Sequence, residues 1–311
     1  MEYSNAEKIN QDAITALEKQ DFHIAQDLFR KNVKENRGFI SLNNMGVFYF
    51  HEGMELKNGK TRCANKLSLR FLLAAEKYKH SYANNMALGT WFFEEGEHKT
   101  AEGYFRQACS LTPSCSGYNN LGATLYLQRE YSEASLYLGK ACSLCEGTDM
   151  IEKVYPSYLF SLIKSKKKKK ALSVLHQILS ENVTELETAM SLKQDVFIVS
   201  YLCNDMQFAE KQIENMLSVY SVDNTIMAMV FDCLIKVGKE NEIGKYLRHQ
   251  IEHLEGFDFN RNAEIERIKK ISKHASLRER DISEYSYFPS TITECCYIGC
   301  TKHNVDIGFV L

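Results

Sequence analysis

Two stretches of this sequence copy one another at a fixed offset, and that period restricts the fold more than any other feature. One runs Asn85-x-x-Leu88-Gly89-x-x-Phe92, then Ala101-x-x-x-Phe105-x-x-Ala108. The next runs Tyr118-x-x-Leu121-Gly122-x-x-Leu125, then Ala134-x-x-x-Leu138-x-x-Ala141. Gly89 and Gly122 lie 33 positions apart, and every later landmark keeps that offset. Apolar residues three and four apart mark amphipathic helices, here two per period. Gly and Ala at matched places let the two helices approach closely while large residues fill the gaps. A chain of 311 residues with only 3 Pro and 16 Gly also lacks the turn residues that a sandwich or barrel needs.

The pattern resembles the tetratricopeptide repeat (TPR), a helix–turn–helix unit of about 34 residues. The resemblance continues in both directions with fewer landmarks. Upstream, Leu42-x-x-Met45-Gly46-x-x-Tyr49 is followed by Leu67, Phe71 and Ala74. About nine extra residues lie between those helices, near Gly53–Cys63, a lengthened connection similar to the Sel-like variant of the family. Ala13, Ala16, Ala25 and Phe29 form a unit without the glycine. Downstream, Leu159 with Ala171, Phe197 with Ala209, and Phe231 with Ile243 mark weaker copies. The resemblance implies an all-α, right-handed solenoid of about six TPR-like repeats over residues 5–255. A capping helix is expected within 256–280, and a β-prone tail or hairpin over 281–311.

Several motifs invite catalytic or metal readings and lose them in context. Gly53 to Lys60 nearly spells a phosphate loop, but five residues separate its glycines where four are needed, and a helix precedes it. His249-Gln-Ile-Glu252-His253 has zinc-binding spacing on a helix, without a convincing third ligand. Cys295, Cys296, Cys300 and His303 form the densest ligand cluster, at a spacing that matches no standard zinc knuckle. The expectation is therefore no catalytic residue, no cofactor and no metal, with those four side chains as the reserve metal or redox candidates. Lys166–Lys170 reads as a solvated turn. A formal net charge of −2 gives no reason to expect nucleic acid. There is no apolar run long enough to span a membrane and no secretory leader at Met1, so a cytoplasmic protein with mostly free cysteines is expected.

The resemblance also implies where function lies: on the concave face, lined by the first helix of each repeat. Groove positions implied in this way include Asn43, Asn44, Phe50, Phe93, Asn119, Asn120 and Tyr126. Asn44 and Asn120 match the Asn common in peptide-binding TPRs, where an amide can donate to and accept from a peptide backbone at once. Phe50, Phe93 and Tyr126 would add apolar contact. The places that hold a paired-carboxylate clamp in chaperone-binding TPRs carry Val47, Met86, Ala87, Thr90, Ser116 and Asn120 here, with no cation. A non-catalytic scaffold or adaptor binding a protein or peptide segment is the expectation. The alternatives are a peptide-sensing regulator of the pheromone-receptor type without a DNA-binding domain, and a metal or redox protein using the C-terminal cysteines. The tail itself is a further candidate ligand, with Ile307–Leu311 in the molecule's own groove.

Overall fold

The computed structural model describes residues 5–57, 60–145, 148–181, 190–217, 222–254 and 261–300. These residues form two compact units: the chain up to Leu144 joined by the segment from Ser290 onward, and Cys145–Pro289. The first unit consists of four antiparallel helical pairs: α1 (Asn5–Glu18) with α2 (Phe22–Glu35), α3 (Phe39–Glu52) with α4 (Asn65–Glu76), α5 (Tyr82–Glu94) with α6 (His98–Leu111), and α7 (Cys115–Leu127) with α8 (Tyr131–Cys142). The second holds α9 (Thr148–Lys164) with α10 (Lys168–Glu181), α11 (Met190–Leu202) with α12 (Met206–Leu217), and then α13 (Asn224–Lys236) and α14 (Ile243–Leu254), joined through a short 3-10 turn at Glu240–Glu242. Among the described residues seven successive helical hairpins fall on the seven stretches that carry the pattern, one more than the expected count of about six repeats.

The glycines at matched places in the second, third and fourth pairs mark close helix crossings. A Cβ on Gly46 would lie 2.7 Å from Leu72 Cγ, one on Gly89 2.6 Å from the Phe105 ring, and one on Gly122 2.5 Å from Leu138 Cγ. Phe105, Leu72 and Leu121 are fully buried in the resulting cores.

The turn inside each pair has its own signature, which the glycine count conceals. In every pair but the second, whose helices are joined by residues 53–64 and not by such a turn, one residue there adopts a left-handed conformation: Gln20 (φ 63°), Gly96 (79°), Arg129 (65°), Lys166 (64°), Asn204 (70°) and Gly238 (77°). The next amide reaches back five residues, as in Glu97 N to Phe92 O (2.8 Å) and Glu130 N to Leu125 O (2.9 Å). These are Schellman ends, which satisfy carbonyls that the helix leaves open. Lys166 and Lys167 thus occupy such a turn, and Lys168–Lys170 open α10 as exposed side chains.

Three elements differ from expectation. The extra residues of the second pair form a hairpin, β1 (Met54–Lys57) antiparallel to β2 (Lys60–Cys63), with Met54 opposite Cys63. The single capping helix is instead two, α15 (Arg261–Lys273) and α16 (Ala275–Ser283), both packed on α13. Pro156, a residue type that usually opens a helix, lies inside α9. From Glu284 to Cys300 the chain has no regular secondary structure. Within the second unit, its Tyr287 ring stacks on Phe160 at 4.0 Å, and the Tyr287 hydroxyl lies 3.0 Å from Ser157 Oγ.

Candidate peptide-binding site

Asn43 and Asn44 on α3, and Asn119 and Asn120 on α7, are fully buried. A buried amide must find partners within the protein, and these four find them on the chain's own C-terminal segment. Asn120 Oδ1 accepts from Ile292 N at 2.7 Å, and its Nδ2 donates to Ile292 O at 2.9 Å. Asn44 repeats the arrangement with Ile298, at 2.8 Å for both bonds. The preceding asparagine donates two residues upstream each time: Asn119 to Ser290 O and Asn43 to Cys296 O, both at 2.9 Å. Asn43 also donates to Asn44 Oδ1, as Asn119 does to Asn120 Oδ1, so each pair is braced internally.

The register has a simple geometric content. The gripped residues, 290, 292, 296 and 298, all have one parity, as an extended chain requires. Its main-chain groups point to the same side at every second residue. Six residues separate the two grips, about 20 Å of extended chain, over two helical pairs at about 10 Å each. The segment therefore advances three residues per pair, an odd number. The residues in register with the intervening pair, 293 and 295, thus have the opposite parity, and in an extended chain their main-chain groups point away from a two-asparagine grip. The corresponding positions of that pair hold Met86 and Ala87.

What α5 contributes is Tyr82 and Asn84. The Tyr82 hydroxyl donates to Glu294 Oε2 at 2.7 Å and lies 2.6 Å from Ser114 Oγ. Burial, with the Glu294 carboxylate beside it, pushes the phenol well above its ordinary range. Asn84 Nδ2 donates to Asn43 Oδ1 at 3.2 Å, which orients the second-pair grip. At the far end, Asn10 on α1 donates to Ile298 O at 2.9 Å and accepts from Asn44 Nδ2 at 2.7 Å. The chain then turns: Cys300 N bonds Tyr297 O at 3.2 Å, with Gly299 at φ 88°. A Cβ there would be strained and would sit 3.2 Å from Asn10 Nδ2.

Side chains complete the seat. Ile292, Cys296, Tyr297 and Ile298 are buried, and Tyr297 stacks on Phe29 at 5.8 Å and 7° with His51 on another flank. Burial holds the His51 imidazole below its usual value. The three aromatic positions named from sequence lie against residues of their own pairs: Phe50 against His51, Phe93 against His98, and Tyr126 against Tyr131. Sequence reasoning missed Asn10, Phe29 and Tyr82. Asn10 and Tyr82 lie outside the groove positions counted from the glycine, and Phe29 reads as ordinary core.

The cysteine cluster is part of this segment. Cys295 and Cys300 are hydrogen-bonded neighbours, while Cys296 is enclosed in the seat. Burial pushes the Cys295 thiol up to about 12 and Cys296 well above its ordinary value, so both remain protonated at neutral pH. His303 and Ile307–Leu311 lie outside the described residues. Among the described residues no group of three or more His, Cys, Asp or Glu is placed to hold a metal. His249 and His253 stack on each other at 4.2 Å, with His253 Nδ1 3.0 Å from His249 O. Among the described residues no helix is long and apolar enough to cross a membrane.

Residues 115–148, which span α7 and α8, match the family model of the tetratricopeptide repeat. Among solved structures, the apo form of RapI superposes with a TM-score of 0.63 at 12% identity, over 90% of this chain and 86% of that one. The C-terminal part of a TPR repeat-containing protein from Cytophaga hutchinsonii gives 0.59 at 13% identity, over 82% and 99%. A tetratricopeptide repeat protein from Parabacteroides merdae gives 0.55 at 11% identity, over 86% and 99%. At such identities the likeness is one of fold. No curated protein matches the sequence. Residues 115–148 thus match a tetratricopeptide repeat, and the chain as a whole shares the fold of tetratricopeptide-repeat proteins.

Proposed function

We propose that the first unit is a peptide-binding module that grips an extended protein segment by its main chain. The TPR fold serves protein interaction in general. The observation that supports the finer reading is the pair of bidentate amide grips, Asn44 and Asn120, each serving both the N–H and the C=O of one residue. Such a grip holds the gripped residue by its main chain, while selectivity rests on the places where the side chains are buried, those of Ile292 and Ile298 included. Protein scaffolding needs no more chemistry than this. The raised thiol pKa values of Cys295 and Cys296 weigh against a nucleophilic or redox role for them, since the thiolate is the reactive form.

The test is a pull-down comparing the wild type with Asn44→Ala/Asn120→Ala. Partners that use the groove should be lost from the double variant while its helical content is kept. Retention of the same partners at the same strength contradicts the assignment.

A further inference from the structure

Resting on that reading, we propose that Ser290–Cys300 is a displaceable internal ligand, and that the outside partner is an extended peptide of the same pattern. That pattern is a β-branched aliphatic residue, a carboxylate two places later, an aromatic five places later and a second β-branched aliphatic six places later. Each part answers to a seat. Ile292 and Ile298 fill the two gripped positions, Glu294 meets the Tyr82 hydroxyl, and Tyr297 enters between Phe29 and His51.

Three observations separate an internal ligand from a permanent piece of core. First, the segment is held as a separate peptide would be, by side-chain amides closing on its main chain at a regular register. Second, it fits imperfectly. The Tyr297 hydroxyl is buried with no hydrogen-bond partner among the described residues, and a buried hydroxyl left unpaired is costly. The seat is shaped for a phenyl ring, and Phe would suit it better than the Tyr present. Third, a cavity of about 320 Å³ remains beside the segment, bounded by Ile14, Leu17 and His51 on one side and by Cys295, Tyr297 and Cys300 on the other. A ligand with bulkier side chains at its end would fill space that the internal segment leaves open. An outside peptide competes against a partner tethered in the same chain, whose effective concentration is high. The intact protein is therefore a weak binder until the segment is weakened or outcompeted.

The probe is a fluorescent synthetic peptide with the sequence of residues 288–300, titrated against full-length chains. Ile292→Ser/Ile298→Ser loosens the internal segment, and Gly299→Ala does so independently by straining its turn. Circular dichroism checks that each remains helical. Both loosened chains should bind the probe at least about tenfold more tightly than the wild type, a change of about 1.4 kcal/mol. A probe with Phe at the position of Tyr297 should bind about threefold or more tightly than the Tyr probe, because no hydroxyl is stranded.

Equal affinity of wild type and both loosened chains overturns the proposal while leaving the groove reading intact, provided binding is lost on adding Asn44→Ala/Asn120→Ala. Binding that survives those two substitutions contradicts the groove reading instead. Absence of binding in every chain overturns the internal-ligand proposal, and the pull-down then judges the groove alone.

Discussion

The second and fourth helical pairs differ from the third in what their first helices offer the groove. Helices α3 and α7 each carry two adjacent asparagines that hold the C-terminal segment, whereas α5 carries Met86 and Ala87 at the same places. From sequence alone the third pair is one of the two best-preserved copies, so decay of the repeat does not explain its missing asparagines. The geometry gives an explanation: three residues per pair set against a two-residue strand period brings usable main-chain groups to every second pair only. The third pair instead contributes lateral bonds. Its Asn84 orients Asn43, and its second helix carries Glu102, which accepts from Lys99, Arg106 and Gln128 while Arg106 reaches Glu133 on α8.

The sharpest way to break this contrast is to remove the grips. In Asn44→Ala/Asn120→Ala, Ile292 loses the partners of both its main-chain groups and Ile298 loses that of its N–H, while Ile298 O keeps Asn10; the cost is about 1–3 kcal/mol per asparagine. Limited proteolysis should then cut between Ser290 and Cys300 at rates that leave the helical pairs intact. An uncleaved segment in the double variant would count against the grip.

Acid tests the lateral contribution of the third pair. Burial alone would raise the Glu102 carboxyl, but its hydrogen bonds to Lys99, Arg106 and Gln128 outweigh that and hold it down at about 2. A depressed carboxyl stabilises the fold fully above its unfolded value, and that contribution fades as pH falls through about 4.5 toward 2. The loss is about 1–3 kcal/mol. Glu102→Gln should flatten this part of the stability-versus-pH curve in urea titrations. An unchanged slope would show that Glu102 carries none of it.

Ala87→Asn addresses parity directly. If α5 meets the wrong side of the strand, the new amide gains no main-chain partner and destabilises the protein by about 1–3 kcal/mol. Raised thermal stability, with slower exchange in the segment, would mean that a third grip had formed and that parity is not the reason for Ala87. A neighbouring position should give the opposite sign. Asn85 is fully buried, and neither amide atom has a partner among the described residues, while the equivalent places hold Leu42 and Tyr118. Asn85→Leu should stabilise by about 1–2 kcal/mol in denaturant titration. The smallest expected effect lies in the turns. Arg129 holds the left-handed place that Gly96 fills in the preceding pair, so Arg129→Gly should stabilise by about 0.5–1 kcal/mol, read as a rise in Tm.

The helical pairs were legible in the sequence because close packing forces small residues to recur at matched places in successive pairs, as Gly46, Gly89 and Gly122 do. The asparagines were legible because their offset from those glycines is constant. The hairpin at Met54–Cys63 was visible only as nine surplus residues, since length does not specify pairing. Left-handed Gln20, Arg129, Lys166 and Asn204 carry no sequence mark, because the Schellman hydrogen bonds impose that conformation on whatever residue is there. The location of the last residues was the least legible. Ile292 and Ile298 looked β-prone, but a strand and a groove-bound peptide share one extended backbone and one alternating pattern. Only the buried amides across from them distinguish the two.

Amide hydrogen exchange at Ile292 and Ile298 tests the central claim most directly. In the wild type both should exchange far more slowly than in a free peptide. Both should become fast in Asn44→Ala/Asn120→Ala, while amides of α13 in the other unit keep their protection. Fast exchange at Ile292 and Ile298 in the wild type, or protection that survives loss of both asparagines, would contradict the account.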